Sequence, residues 1–124
     1  MKILHVNSSD SYGGAAKAVI SLHKSLMKEN IESFILTRGL GPKLENDLSK
    51  NSSIKNVINI LKNGIARKIC RLYKIDKKET LSISIFNSNI VNEINKIDCD
   101  IVNLHWICDE FISIEQIKKI KKPI

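Results

Sequence analysis

Between Lys2 and Thr37 the chain sets out a short apolar strand, a glycine turn, an amphipathic helix and a second apolar strand. Two strands joined through a helix cannot form a hairpin; they lie parallel in one sheet, with the helix across a face. Lys2–Val6 (KILHV) is the first strand, and residues 7–14 (NSSDSYGG) are all turn formers. From Ala15 to Lys28, Ala15, Ala18, Val19, Leu22 and Leu26 recur at helical spacing, with Lys17, Ser21, Lys24 and Lys28 on the other faces. Ile31–Thr37 (IESFILT) is the second strand.

The alternation continues downstream. Residues 38–51 form a polar loop marked by Gly39, Gly41 and Pro42. Ile54, Val57, Ile58, Leu61, Ile65, Ile69 and Leu72 then follow at intervals of three and four, an amphipathic helix weakened only at Gly64. Leu81–Phe86 alternates as an edge strand would. Ile90, Val91, Ile94 and Ile97 outline a further helix before the strand Asp100–His105 (DIVNLH). Ser113 with Gln116 makes a capping box for a last helix reaching about Lys122, and a new strand is expected from Pro123. The fold class is therefore α/β: a Rossmann-like parallel sheet with helices on both faces.

At 124 residues the chain is one domain's worth of sequence. It is 43% hydrophobic but only 5% aromatic, so its core must be aliphatic. Residues 51–80 hold eight basic and two acidic side chains, which places six of the seven net positive charges there. The basic residues of 53–74 oppose the apolar stripe. This pattern suits either weak contact with an anionic membrane surface or an ordinary solvated helix face. Only one use can have the stripe, and the core is the favoured one. Nucleic acid is not an expected partner, because neither interleaved aromatics nor a recognition motif accompanies the charge. Cys70, Cys99 and Cys108 lack metal-ligand spacing and read as free thiols of a reducing compartment. The N-terminus lacks the features of a signal peptide, and no stretch has the length of a membrane span. A cytoplasmic location is expected, with contact at the inner membrane face an option.

Two places carry chemistry. Gly13 and Gly14 open the first helix, where free backbone N–H groups and roughly half a positive charge from the helix dipole suit a diphosphate. The turn matches neither G-x-G-x-x-G nor G-x-x-x-x-G-K-[ST], and a purely structural tight turn explains it equally well. His105 and Trp106 fall at the carboxyl end of a strand, where open α/β sheets bind ligands. An indole can stack on a sugar ring and an imidazole can bond hydroxyls or phosphate, although a lone Trp can also simply fill space under a loop. No catalytic grouping is visible: Asp109 and Glu110 are adjacent, and nothing has the local signature of a nucleophile and its base.

With these residues in view, the opening MKILHVNSSDSYGGAAKAVISLHKSL resembles the start of family-four retaining glycosyltransferases of the GT-B architecture. DIVNLHWICDEFISIEQIKKIKKPI looks like a subgroup of that family acting in capsule, exopolysaccharide and lipopolysaccharide synthesis. The likeness is good at both ends and loose between about Gly39 and Thr80. It implies an incomplete N-terminal domain over residues 1–124, with the donor-binding second domain absent. It also implies a nucleotide-sugar donor and a saccharide acceptor as substrates, with no cofactor and no metal. Gly13 and Gly14 would face the donor diphosphate, and His105 and Trp106 the acceptor side; no catalytic residue is assigned. The 124 residues alone are then expected to be inactive and to self-associate through an unpaired edge of Asp100–His105. The alternative is a free-standing half-Rossmann module that binds a nucleotide or phosphate without catalysis.

Overall fold

A computed structural model describes residues 1–9, 13–39, 44–49, 61–62, 64–65, 68–69 and 88–124. The elements are β1 (Lys2–Val6), α1 (Gly13–Lys28), β2 (Glu32–Leu36), α2 (Ile90–Lys96), β3 (Ile101–Leu104) and α3 (Ile114–Ile117). The three strands form one parallel sheet in the order β2-β1-β3. Lys2 to Val6 pair with Glu32 to Leu36 on one side, and Ile3 to Val6 pair with Ile101 to Leu104 on the other.

Strand alternation divides the side chains between two faces. Leu4, Val6, Leu36 and Val102 point to one face, where Val91 and Ile94 of α2 and then Phe111 and Ile112 cover them. Each such aliphatic side chain contributes roughly 1.5–3 kcal/mol by leaving water. The opposite face carries His5, Ser33 and Ile35, all buried, under Ala16, Val19 and His23 of α1. Helices therefore lie on both faces.

The buried stripe of α1 differs from the expected one. Ala18 and Leu22 are exposed, and Ala16, Val19 and His23 face the sheet. The reason is specific: His23 Nδ1 lies 2.7 Å from Ser33 Oγ, and its Nε2 lies 3.0 Å from the Glu45 carbonyl. A ring with both nitrogens satisfied can be buried where periodicity alone would choose Leu22. The helix ends in a Schellman motif, with Asn30 left-handed at φ 57. There Ile31 N–H donates to Leu26 O and Asn30 N–H to Met27 O.

Both sheet edges find partners. Residues 46–49 run along β2, where Leu48 N–H donates to Ile35 O (2.9 Å) and Ile35 N–H to Asn46 O (3.3 Å). At the other edge Val102 N–H donates to Pro123 O at 2.9 Å. The expectation of an unpaired Asp100–His105 edge is thus corrected at Val102, because the chain returns to it at the place where a further strand was anticipated. The capping box forms as expected, with Gln116 N–H donating to Ser113 Oγ and Ser113 N–H to Gln116 Oε1, both at 3.2 Å. The helix it opens is shorter than expected. Lys119 and Ile120 make i→i−3 bonds, and Asn95 of α2 bonds the Lys119 carbonyl and the Lys121 N–H, turning the chain toward Pro123.

Most of 53–74 and all of the expected strand Leu81–Phe86 lie outside the described residues. Residues 61–62, 64–65 and 68–69 are helical, but Leu61 is 60% exposed and Ile65 49%. The assignment of this stripe to the core is corrected at those two positions: α1 lies against one sheet face and α2 with Phe111 and Ile112 against the other, and neither residue joins that core. None of the described helices is long and apolar enough to cross a membrane.

Candidate functional site

With β1 in the centre, the chain passes through α1 to β2 on one side and places β3 on the other. The boundary between β1 and β3 is therefore the point where strand order reverses, and ligands of open α/β sheets bind there, beyond the carboxyl ends of the strands. Asn7 and Ser8 leave β1 at that boundary, and His105 and Trp106 leave β3. Three bonds tie the two exits together. His105 N–H donates to Val6 O at 3.0 Å and Ser8 N–H to Trp106 O at 2.7 Å. Trp106 N–H donates to Asn7 Oδ1 at 2.9 Å. Asn7 is fully buried, and its amide also donates to Ser9 O at 2.5 Å. It fixes the start of the loop that leads to the glycines, and nothing in the residue pattern singled it out.

The two glycines have different reasons for being glycine. Gly13 has φ +91, a left-handed conformation that a Cβ disfavours, so it is required by the turn itself. Gly14 has an ordinary backbone, and an added Cβ would meet nothing within 4 Å. Among the described residues the same holds at Gly13, so the backbone conformation alone separates the two. Gly13→Ala is accordingly expected to lower stability by about 1 kcal/mol, whereas Gly14→Ala should be neutral or slightly stabilising through helix propensity. Urea denaturation of the two variants measures this, and equal losses would mean that both glycines serve the turn.

His105 and Trp106 are both accessible at this end of the sheet. Trp106 is 41% exposed, so it does not fill space beneath the loop. His105 is half-buried and lies beside His5, a fully buried residue of β1: His5 Nδ1 is 3.1 Å from His105 Nε2, and the ring centroids are 5.3 Å apart. Burial, then the proximity of His105 and of His23, pushes His5 down to about 4. Burial also lowers His105. Both rings are thus held in the neutral form at pH 7. His5 belongs to no motif; its signal is the alternation along KILHV, which puts it on the face opposite Leu4 and Val6.

The segment after Trp106 folds back over this end of the sheet. Ile112 N–H donates to Ile107 O, closing the loop. Arg38, just past β2, donates to the carbonyls of Cys108 and Asp109, and its guanidinium lies 5.4 Å from the centre of the Phe111 ring. Asp109 and Glu110 are both left-handed, at φ 60 and 59, a conformation costly for non-glycine residues that this clamp holds in place. Burial lowers Arg38 from its usual range, while Asp109 and Glu110 act in the opposite direction.

No family model, curated protein or solved structure matches this chain. Among the described residues, no three His, Cys, Asp or Glu side chains gather as a metal-holding group. Cys99 and Cys108 are free thiols, and burial raises the first of them; Cys70 lies outside the described residues. The chemistry on offer is hydrogen bonding from backbone N–H groups and imidazole, and stacking on an indole.

Proposed function

We propose that the chain is the Rossmann-like N-terminal part of a sugar-nucleotide glycosyltransferase acting on a surface-polysaccharide or lipopolysaccharide acceptor. One observation supports the proposal: the exits of β1 and β3 are bonded together at the strand-order reversal, so His105 and Trp106 lie beside the start of the segment that runs from β1 to the Gly13-Gly14 helix start. That arrangement offers backbone N–H groups to a phosphate and an exposed indole to a sugar ring, which are the two kinds of group a glycosyl donor and its acceptor present. The likeness of both terminal segments to family-four enzymes supports the same assignment.

Enzymes of that family hold the nucleotide sugar mainly in a second domain, and the proposal assigns these 124 residues to the first. The chain by itself is expected to turn over no nucleotide sugar and to bind none more tightly than about millimolar, equivalent to about −4 kcal/mol. Calorimetric titration with UDP-, GDP- and ADP-linked sugars measures this. Under saturating ligand, the amide signals of Gly13 and Gly14 and the indole signal of Trp106 should shift together. A micromolar affinity for any one donor would overturn the transferase assignment in favour of a free-standing binding module. Shifts confined to other parts of the chain would overturn the site itself.

A further inference from the structure

The chain has three histidines, at 5, 23 and 105, and the structure brings all of them to the α1-covered side of the sheet. The proton positions on two of them follow from their neighbours. A carbonyl only accepts, so His23 Nε2, 3.0 Å from Glu45 O, must carry hydrogen, and in the neutral ring His23 Nδ1 then accepts from Ser33 Oγ. Between His5 Nδ1 and His105 Nε2 there is one shared hydrogen bond and one proton to make it. If His105 donated, the proton of His5 would sit on Nε2, an atom sealed from solvent and, among the described residues, without a hydrogen-bond partner. An orphaned buried N–H is the rarer and costlier defect; a bare ring nitrogen among apolar neighbours is the milder one. His5 is therefore the donor.

We propose that His5 is a positioning residue that locks His105 into its Nδ1–H tautomer, so that the β1/β3 crevice presents a hydrogen-bond donor rather than a base and takes a ligand through an anionic oxygen. His105 Nε2 is occupied by His5, and among the described residues nothing meets His105 Nδ1. Its N–H is left for a phosphate or carboxylate oxygen. The inference rests on the crevice being the ligand site, but the tautomer is a property of the unliganded chain and does not depend on what is bound.

The test is a two-bond nitrogen–proton correlation spectrum of the imidazoles in the full 124-residue chain, recorded just above neutral pH. Both His5 and His105 should show a protonated Nδ1 and a bare Nε2, and His23 the reverse. A bare Nδ1 on His105 would overturn the proposal outright. His5→Asn removes the stranded Nε2 and offers His105 an amide that can turn either its N–H or its oxygen to Nε2; it should fold and leave His105 hydrogen-bonded in either tautomer. His5→Leu removes the donor and should release His105 to the Nε2–H form ordinary for a free imidazole. An unchanged His105 in His5→Leu would show that His5 does not position it. Should His5→Leu fail to fold, the wild type and His5→Phe, which keeps a planar ring but has no donor, decide the matter, because an unchanged His105 in His5→Phe is equally fatal. Inorganic phosphate, followed at the His105 ring, reads the ligand separately: it should shift Nδ1–H in the wild type and bind about tenfold more weakly in His5→Leu. Absence of that shift with the tautomer as stated would overturn the crevice as an anion site and leave the positioning role standing.

Discussion

Acidification from pH 6.5 to pH 4 is expected to remove about 3 kcal/mol of folding stability through His5 alone. His5 is neutral and fully buried in the folded chain, where burial and the two neighbouring histidines hold it at about 4. In the unfolded chain it titrates near the ordinary value of about 6.5. Above 6.5 both states are neutral and the depressed value has no effect. Between the two values the unfolded chain binds a proton that the folded chain refuses, so stability falls as pH falls and the loss is complete below about 4. His105 is also lowered and adds in the same direction. Asp98, which Lys2 contacts at 2.5 Å, is lowered too, but that pair is exposed and matters only at still lower pH.

A loss of this size is large beside the 5–15 kcal/mol that domains usually possess. Urea midpoints taken in steps across this window should drop steadily with acid in the wild type. The slope should be much shallower in His5→Asn, which has no group to protonate at that site. A flat profile in the wild type, or an undiminished slope in His5→Asn, would show that the buried ring is not the source.

The elements were legible because each depends on a local pattern. β1, β2, α2 and β3 all lie within one or two residues of the runs that apolar periodicity marks, and the Ser113–Gln116 pair announced its own helix. The contents of the site were less legible because its residues are chosen by partners far away in sequence. Asn7 matters through the Trp106 N–H, 99 residues on, and His5 through His105, 100 residues on. His105 and Trp106 could be found from the strand they end, since position at a carboxyl terminus is itself local. The cover on each sheet edge was invisible for a further reason: Asn46, Leu48 and Pro123 supply it with backbone groups, which every residue has and no pattern distinguishes.

His23 puts that difference between pattern and partner to a direct test. A residue 1% exposed on the sheet-facing side of an amphipathic helix would, by periodicity, be better as leucine. The structure gives the opposite expectation. His23→Leu leaves the hydroxyl of Ser33, which is fully buried, without its acceptor, and frees the Glu45 carbonyl from its donor. Stranding a buried polar group costs about 1–3 kcal/mol, and the added apolar contact recovers only part of it. The net loss should be about 2 kcal/mol, or roughly 10 °C in Tm for a chain of this size. The partner variant separates the causes. Ser33→Ala alone removes the hydroxyl and unpairs His23 Nδ1, whereas His23→Leu with Ser33→Ala removes both partners and should be clearly more stable than His23→Leu by itself. Calorimetric melts of the four proteins close this cycle. If His23→Leu melts at or above the wild type, the His23–Ser33 bond does not determine which stripe of α1 is buried, and Leu22 could take its place.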